Sequence, residues 1–303
     1  MTELVSRLDV PDSLSWLDVD PASGLIYGIS ETKGEVYRMR LAPDLSSVTV
    51  LETTELPGSG PAHLLVDRAG RHAYSANYGS GTWTQLRLGE AGQLGGVARH
   101  ETFPGVNCTS HPHQTLARAG WLWVTDLGCD TIYTMTSDPN TSMVTTQVSP
   151  GCGPRHMALH PTRDLAVLLC EQKSLVVLYR INMDTGSLSP LQELALSSEA
   201  ADYGAEIVFN SAGDRVYASS RGTGVMVIYS LSPASQKMER IQELRQHGSW
   251  PRHFALGEDI LVTSDQKGDS LQILHVEAAS GQLVPGKIVN TRDPAPAFVT
   301  FLN

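Results

Sequence analysis

Two short phrases concentrate the chemistry of this chain: GCGPRHMALHP at residues 151–161 and SWPRHFAL at residues 249–256. Each sets an arginine and a histidine directly after a proline turn, at the head of an apolar stretch. A guanidinium there must pair with an acid or face a wet cavity, because an isolated charge beside buried backbone is too costly to keep. Equivalent places along the chain form two series. Directly after the turn stand Ser15, Ala62, His113, Arg155, Ala205, Arg252 and Ala297; at the end of the following strand stand Glu31, Asn77, Asp126, Glu171, Arg221 and Gln266. Arg155, Glu171 and Arg221 adjoin strands that carry apolar residues on both sides (MALHP, LAVLLC, RVYASS). One acid between two such cations stays ionised, and the surplus positive charge draws an anionic ligand that a guanidinium grips with two bonds. His113 shares the face of Arg155 and Arg252 and is the residue suited to proton transfer, since a histidine titrates near working pH. His63, His156 and His253 fall one residue further on and are expected as packed core histidines. The expected catalytic set is His113, Arg155, Glu171 and Arg221, with Arg252, Gln266, Asn77, Asp126 and His156 lining the substrate.

These residues need a scaffold that brings equivalent positions together. With Leu14, Pro61, Pro112, Pro154, Gly204, Pro251 and Pro296 as register marks, the units repeat at gaps of 47, 51, 42, 50, 47 and 45 residues. Within each unit a short apolar strand leads to a turn such as DRAGR or NSAGD. A second strand such as HAYSAN follows, then a tight glycine turn, an alternating strand such as GTWTQLRL or GVMVIYSLS, and a weaker fourth strand. Alternation with period two, β-branched and aromatic enrichment and Gly/Asp/Asn punctuation predict strands and no helices. Four strands in a unit of this length make a β-propeller blade, and radial repetition turns equivalent positions into rings about one axis. One all-β propeller domain over residues 1–303 is expected.

Composition narrows the partners. A formal net charge of −10 without a basic run excludes nucleic acid and anionic membrane as partners of the whole surface. The start of the chain lacks the basic-then-apolar order of a signal peptide, and no window approaches a membrane span, so a soluble, cytoplasmic, monomeric protein is expected. Cys108, Cys129, Cys152 and Cys170 show no metal-ligand spacing and are expected as reduced thiols. No dinucleotide, P-loop, zinc-protease or nucleophile-elbow motif occurs, so neither a cofactor nor a metal is expected. A calcium ion held by Glu31, Asn77, Asp126 or Glu171 is disfavoured by the two arginines expected in the same cavity.

The stretch GPRHMALHPTRDLAVLLCEQKSLVVLYRINMDTGSL, with VTDLGCDTIY and VYASSRGTGVMVIYSL, resembles the propeller lactonases. That group includes the bacterial cycloisomerase-like 6-phosphogluconolactonases and the fungal 3-carboxy-cis,cis-muconate lactonizing enzyme. The resemblance runs from about residue 4 to residue 303. It implies a seven-bladed fold, and it implies that His113 in SHPHQTL, Arg155 in GPRHMAL, Glu171 in LLCEQKS and Arg221 in YASSRGT act on a lactone or on an acid that forms one. The implied activity is hydrolysis of an anionic sugar lactone; the alternatives are a muconate-type cycloisomerase and a non-catalytic propeller that binds another protein. In one respect the chain departs from the family pattern. It starts at what reads as the last blade's outer strand, ELVSRLDV, and ends with its inner strand, AFVTFLN. Six complete blades and a seventh built only partly from the two termini are therefore expected, with exposed strand edges.

Overall fold

The computed structural model describes residues 8–105, 107–197, 202–232, 235–291 and 294–302. All regular elements among them are strands, β1 to β24, arranged as six four-stranded antiparallel sheets, each a meander of consecutive strands. Strands β1–β4 lie within residues 14–55, β5–β8 within 61–102 and β9–β12 within 112–147. The fourth sheet holds β13 (Pro154–Leu159), β14 (Leu165–Cys170), β15 (Leu175–Ile181) and β16 (Leu188–Ala195). The fifth holds β17 (Tyr203–Phe209), β18 (Arg215–Arg221), β19 (Val225–Ser232) and β20 (Lys237–Arg245). The sixth holds β21 (Pro251–Leu256), β22 (Ile260–Asp265), β23 (Ser270–Val276) and β24 (Leu283–Asn290). The sheets are the blades of a β-propeller. No helix is long and apolar enough to cross a membrane among the described residues.

Burial explains the pattern within each blade. The second strand is packed on both faces, so LAVLLC of β14 is buried at every residue, whereas β16 exposes half of its residues. Two compact units emerge from the contacts: residues 1–124 with 136–141 and 302–303, and residues 125–135 with 142–301. In the first, Tyr27, Ile29 and Val36 interleave with Leu64, Val66 and Leu86 of the next sheet. In the second, Val167, Leu169 and Leu178 pack on Ile207, Val216 and Val227, while Tyr217 and Ile228 pack on Phe254 and Leu274. Fully burying side chains of this kind contributes about 1.5–3 kcal/mol each, which is what fuses neighbouring blades.

Inner strands do not run straight. The register slips at Pro154/His156 in β13 and at Pro251/His253 in β21, leaving Arg155 and Arg252 as the extra residues of β-bulges. A bulge re-aims the side chain it carries, so strict alternation does not decide where these two arginines point. At the other end of the chain, residues 294–302 join no sheet but lie against β21: the Val299 N–H donates to His253 Nδ1 at 3.3 Å and Phe298 stacks on the His253 ring at 4.2 Å. Most of the expected outer strand ELVSRLDV lies outside the described residues.

The cysteines correct the expectation of reduced thiols. Cys152 and Cys170 form a disulfide, and Cys108 and Cys129 are disulfide-bonded as well. No spacing motif marked the Cys152–Cys170 pair, because folding alone brings the turn before β13 against the end of β14. Disulfides persist in oxidising compartments and are rare in the cytosol, so cysteine usage no longer supports a cytoplasmic setting. The Cys152–Cys170 bond closes a sequence separation of 18 residues, and such a loop contributes about 3 kcal/mol. Reduction, or the double change Cys152→Ser with Cys170→Ser, is expected to lower the melting temperature measurably; a melt unmoved by reductant would show that the bond contributes nothing.

Candidate active site

Arg155 reaches its position through three local features. Gly153 adopts a φ of +60°, which an L side chain resists, and its N–H is taken by Asp130 Oδ1 at 2.8 Å. Pro154 then opens β13, and the bulge turns Arg155 inward, where its Nη1 donates to the Ala205 carbonyl. Glu171 follows directly on β14, its N–H donating to the Gly153 carbonyl at 2.8 Å. Arg221 ends β18 and donates through Nη2 to the Gly204 carbonyl at 3.0 Å. Gly204 permits that approach: a Cβ there would stand 2.6 Å from the Cys170 carbonyl oxygen, so any larger residue would push β17 away from β14.

The three charges meet at one atom. Arg155 Nε lies 3.1 Å and Arg221 Nη2 2.7 Å from Glu171 Oε2. Side-chain exposure is 3% for Arg155 and 7% for Arg221 but 22% for Glu171, so the acid is the most accessible member of the three. Burial, followed by the neighbouring Arg221 and Arg252, pushes the Arg155 pKa down to about 9. It is still a cation at neutral pH. Both guanidiniums use the same carboxylate oxygen, which leaves Glu171 Oε1 to meet a ligand.

Beneath this cluster lies a second one. Glu206 Oε2 is 2.9 Å from His156 Nδ1 and 3.3 Å from His253 Nε2, and its Oε1 accepts the Ile207 N–H at 3.0 Å. Since the Val299 N–H donates to His253 Nδ1, the proton of that ring sits on Nε2 and points at Glu206. Burial raises the Glu206 pKa against the opposing pull of His253, Arg155 and the Ile207 N–H. Burial also holds His156 well below its ordinary value and takes His253 down to about 4, so both rings are neutral at pH 7.

The other sequence candidates occupy different settings. Arg252 adds positive charge close enough to depress Arg155, His156 and His253. Gln266 donates its backbone N–H to the Trp250 carbonyl at 3.1 Å. Asp126 accepts the N–H groups of Gly128 and Cys129 in its own turn. In the other unit, Asn77 bonds Ser75, Thr82 and Thr84 within its hairpin, and His113 is buried at the head of β9 with its ring edge-on to Tyr78 at 6.0 Å. No group of three or more His, Cys, Asp or Glu residues is arranged to hold a metal among the described residues.

Sequence reasoning passed over four residues here: Glu206, Tyr203, Trp250 and Lys267. Glu206 stands in YGAEIVF, a charge in an apolar strand, and the argument that singled out Arg155 applies to it equally. Trp250 packs near Arg221, whose guanidinium carbon is 5.6 Å from the ring centroid, and near Tyr203 at 6.3 Å.

Comparison with known proteins gives a consistent result. The chain is 27% identical to a 6-phosphogluconolactonase of Enterobacter sp. (strain 638), over 92% of this chain and 86% of the relative. It is 25% identical to a 6-phosphogluconolactonase of Bacillus subtilis (strain 168), over 99% and 90% respectively. Among solved structures it matches the periplasmic gluconolactonase of Pseudomonas aeruginosa with a TM-score of 0.85 at 19% identity, covering 93% of this chain and 86% of that one. The family described as "Lactonase, 7-bladed beta-propeller" matches residues 2–301, and the chain therefore belongs to the propeller lactonase family.

Proposed function

We propose that the protein hydrolyses an anionic sugar lactone to the open acid, and that Arg155, Glu171 and Arg221 carry the reaction. The observation behind this is the half-reachable Glu171 carboxylate held on one oxygen by two buried guanidiniums. Water adds to the lactone carbonyl while Glu171 Oε1 accepts its proton. Arg155 and Arg221 stabilise the negative charge that develops on the carbonyl oxygen. Collapse of the tetrahedral adduct breaks the ring C–O bond, and the alkoxide takes up a proton, returned from Glu171. The acid product then ionises.

Stabilisation of the oxyanion by the two guanidiniums adds to this proton transfer. That suffices for sugar δ-lactones, which are already reactive. The relatives named as 6-phosphogluconolactonases support a phosphorylated substrate. Purified protein is expected to accelerate opening of 6-phosphogluconolactone well above the spontaneous rate, followed as acid release at fixed pH. Turnover of a carboxymuconate with no lactone hydrolysis would instead identify a cycloisomerase, and turnover of neither would remove the enzymatic reading.

A further inference from the structure

The Glu171 cluster is bordered by a feature that the hydrolytic step leaves unused. Trp250 is clamped by the turn between β22 and β23: its N–H donates to Asp265 Oδ1 at 3.0 Å and its carbonyl accepts the Gln266 N–H. The same turn supplies Lys267, whose Nζ stands 3.1 Å from the Trp250 ring centroid. One indole thus carries Arg221, from the reactive cluster, at 5.6 Å and Lys267 at 3.1 Å. The two charges can be no farther apart than the sum of those distances, which is the scale of a six-carbon sugar acid.

Lys267 is exposed and forms no ion pair among the described residues. An ammonium resting on an indole face gains only about 0.5–1 kcal/mol at an exposed site. It leaves readily for an anion, which offers a charge-assisted hydrogen bond. Next to it a cavity of about 420 Å³ opens between the β18–β19 and β22–β23 turns, lined by Lys267, Arg245, Asp265 and the backbone of Gly222, Gly248 and Gly268. That volume falls within the range of small-molecule sites. Packing dictates the glycine at 248, because a Cβ there would overlap Asp265 Oδ2 at 1.2 Å. In a chain of net charge −10, the indole and the cavity beside it bring together three cations, Arg221, Arg245 and Lys267.

We infer that Lys267 and Trp250 form a specificity subsite: Lys267 leaves the indole to pair with an anionic group at the substrate end remote from the lactone carbonyl, and Trp250 supports the sugar ring between that group and Glu171. The kinetic form of this inference rests on the lactonase reading, and its binding form does not.

Two experiments test it. In the first, the ratio of kcat/KM for 6-phosphogluconolactone to that for glucono-δ-lactone is measured in the native protein and in Lys267→Met. The ratio is expected to fall about tenfold through KM for the phosphorylated lactone; an unchanged ratio overturns the inference. A glucarolactone arm separates the two anions, since a larger loss there makes the recognised group a carboxylate. In the second experiment 6-phosphogluconate is titrated while tryptophan emission is read, with Trp250→Phe identifying the responding ring. A saturable change is expected that gluconate does not produce, that Trp250→Phe abolishes and that Lys267→Met weakens about tenfold. No change, or the same affinity in Lys267→Met, overturns the inference. This titration needs no turnover, so a protein inactive on every lactone would fail the hydrolytic reading while still deciding the subsite.

Discussion

Glu171→Gln is expected to lower kcat for lactone opening by about 10²–10⁴-fold, the range for losing a positioned general base. The same change has a structural cost. Glu171 compensates Arg155 and Arg221, whose side chains are 3% and 7% exposed, and removing one partner of a buried ion pair strands the other charges. Rates should therefore be measured well below the variant's own melting transition. A glutamine can still accept one guanidinium hydrogen bond, so folding survives better than with alanine. A folded variant that hydrolyses the lactone at the native rate would exclude Glu171 as the proton acceptor.

Glu206→Ala is expected to cost about 3–5 kcal/mol of stability, lowering the melting temperature by roughly 10 °C. It deprives His156 and His253 of their common acceptor and Arg155 of its second neighbouring carboxylate. The same cluster makes the native protein acid-sensitive. His253 is held to about 4 against an ordinary 6.5, and His156 moves in the same direction. Below pH 6.5 the unfolded chain therefore binds protons that the native rings refuse. Their stabilisation is complete above pH 6.5 and is lost between there and about pH 4. Glu206 works the other way, since its raised pKa lets the native state take up a proton before the unfolded chain does. The depressed histidines are expected to make the melting temperature fall from pH 7 to pH 4.5, and less steeply in His253→Gln. A flat or rising curve over that interval would contradict the assignment of neutral, buried rings.

Much of this architecture was legible before any coordinates. The register marks coincide with the starts of the first strands of five of the six blades, Leu14, Pro61, Pro112, Pro154 and Pro251, and Gly204 is one residue into β17. Proline without an N–H suits the head of an edge strand, and it opens the first strand in four of these units. Arg155, Glu171 and Arg221 were readable as a group because each puts a charge at the end of an otherwise apolar strand.

Other features depended on the third dimension. Alternation alone would set Arg155 and His156 on opposite faces, but the bulge at Pro154/His156 turns Arg155 onto Glu171 while His156 goes to Glu206. Nothing local in the sequence announces a bulge. The disulfides escaped notice because spacing does not reveal which strand ends meet. Lys267 and Trp250 escaped because one lies in a turn of ordinary composition and the other before a proline, and only the backbone bonds between them make a unit. By itself the sequence determined the repeat and the charges, since periodicity and composition are local properties of a chain. Which charges share an oxygen atom, which cysteines bond and which cation rests on which ring were decided by the tertiary structure, because each depends on distances between different strands and turns rather than on neighbours in sequence.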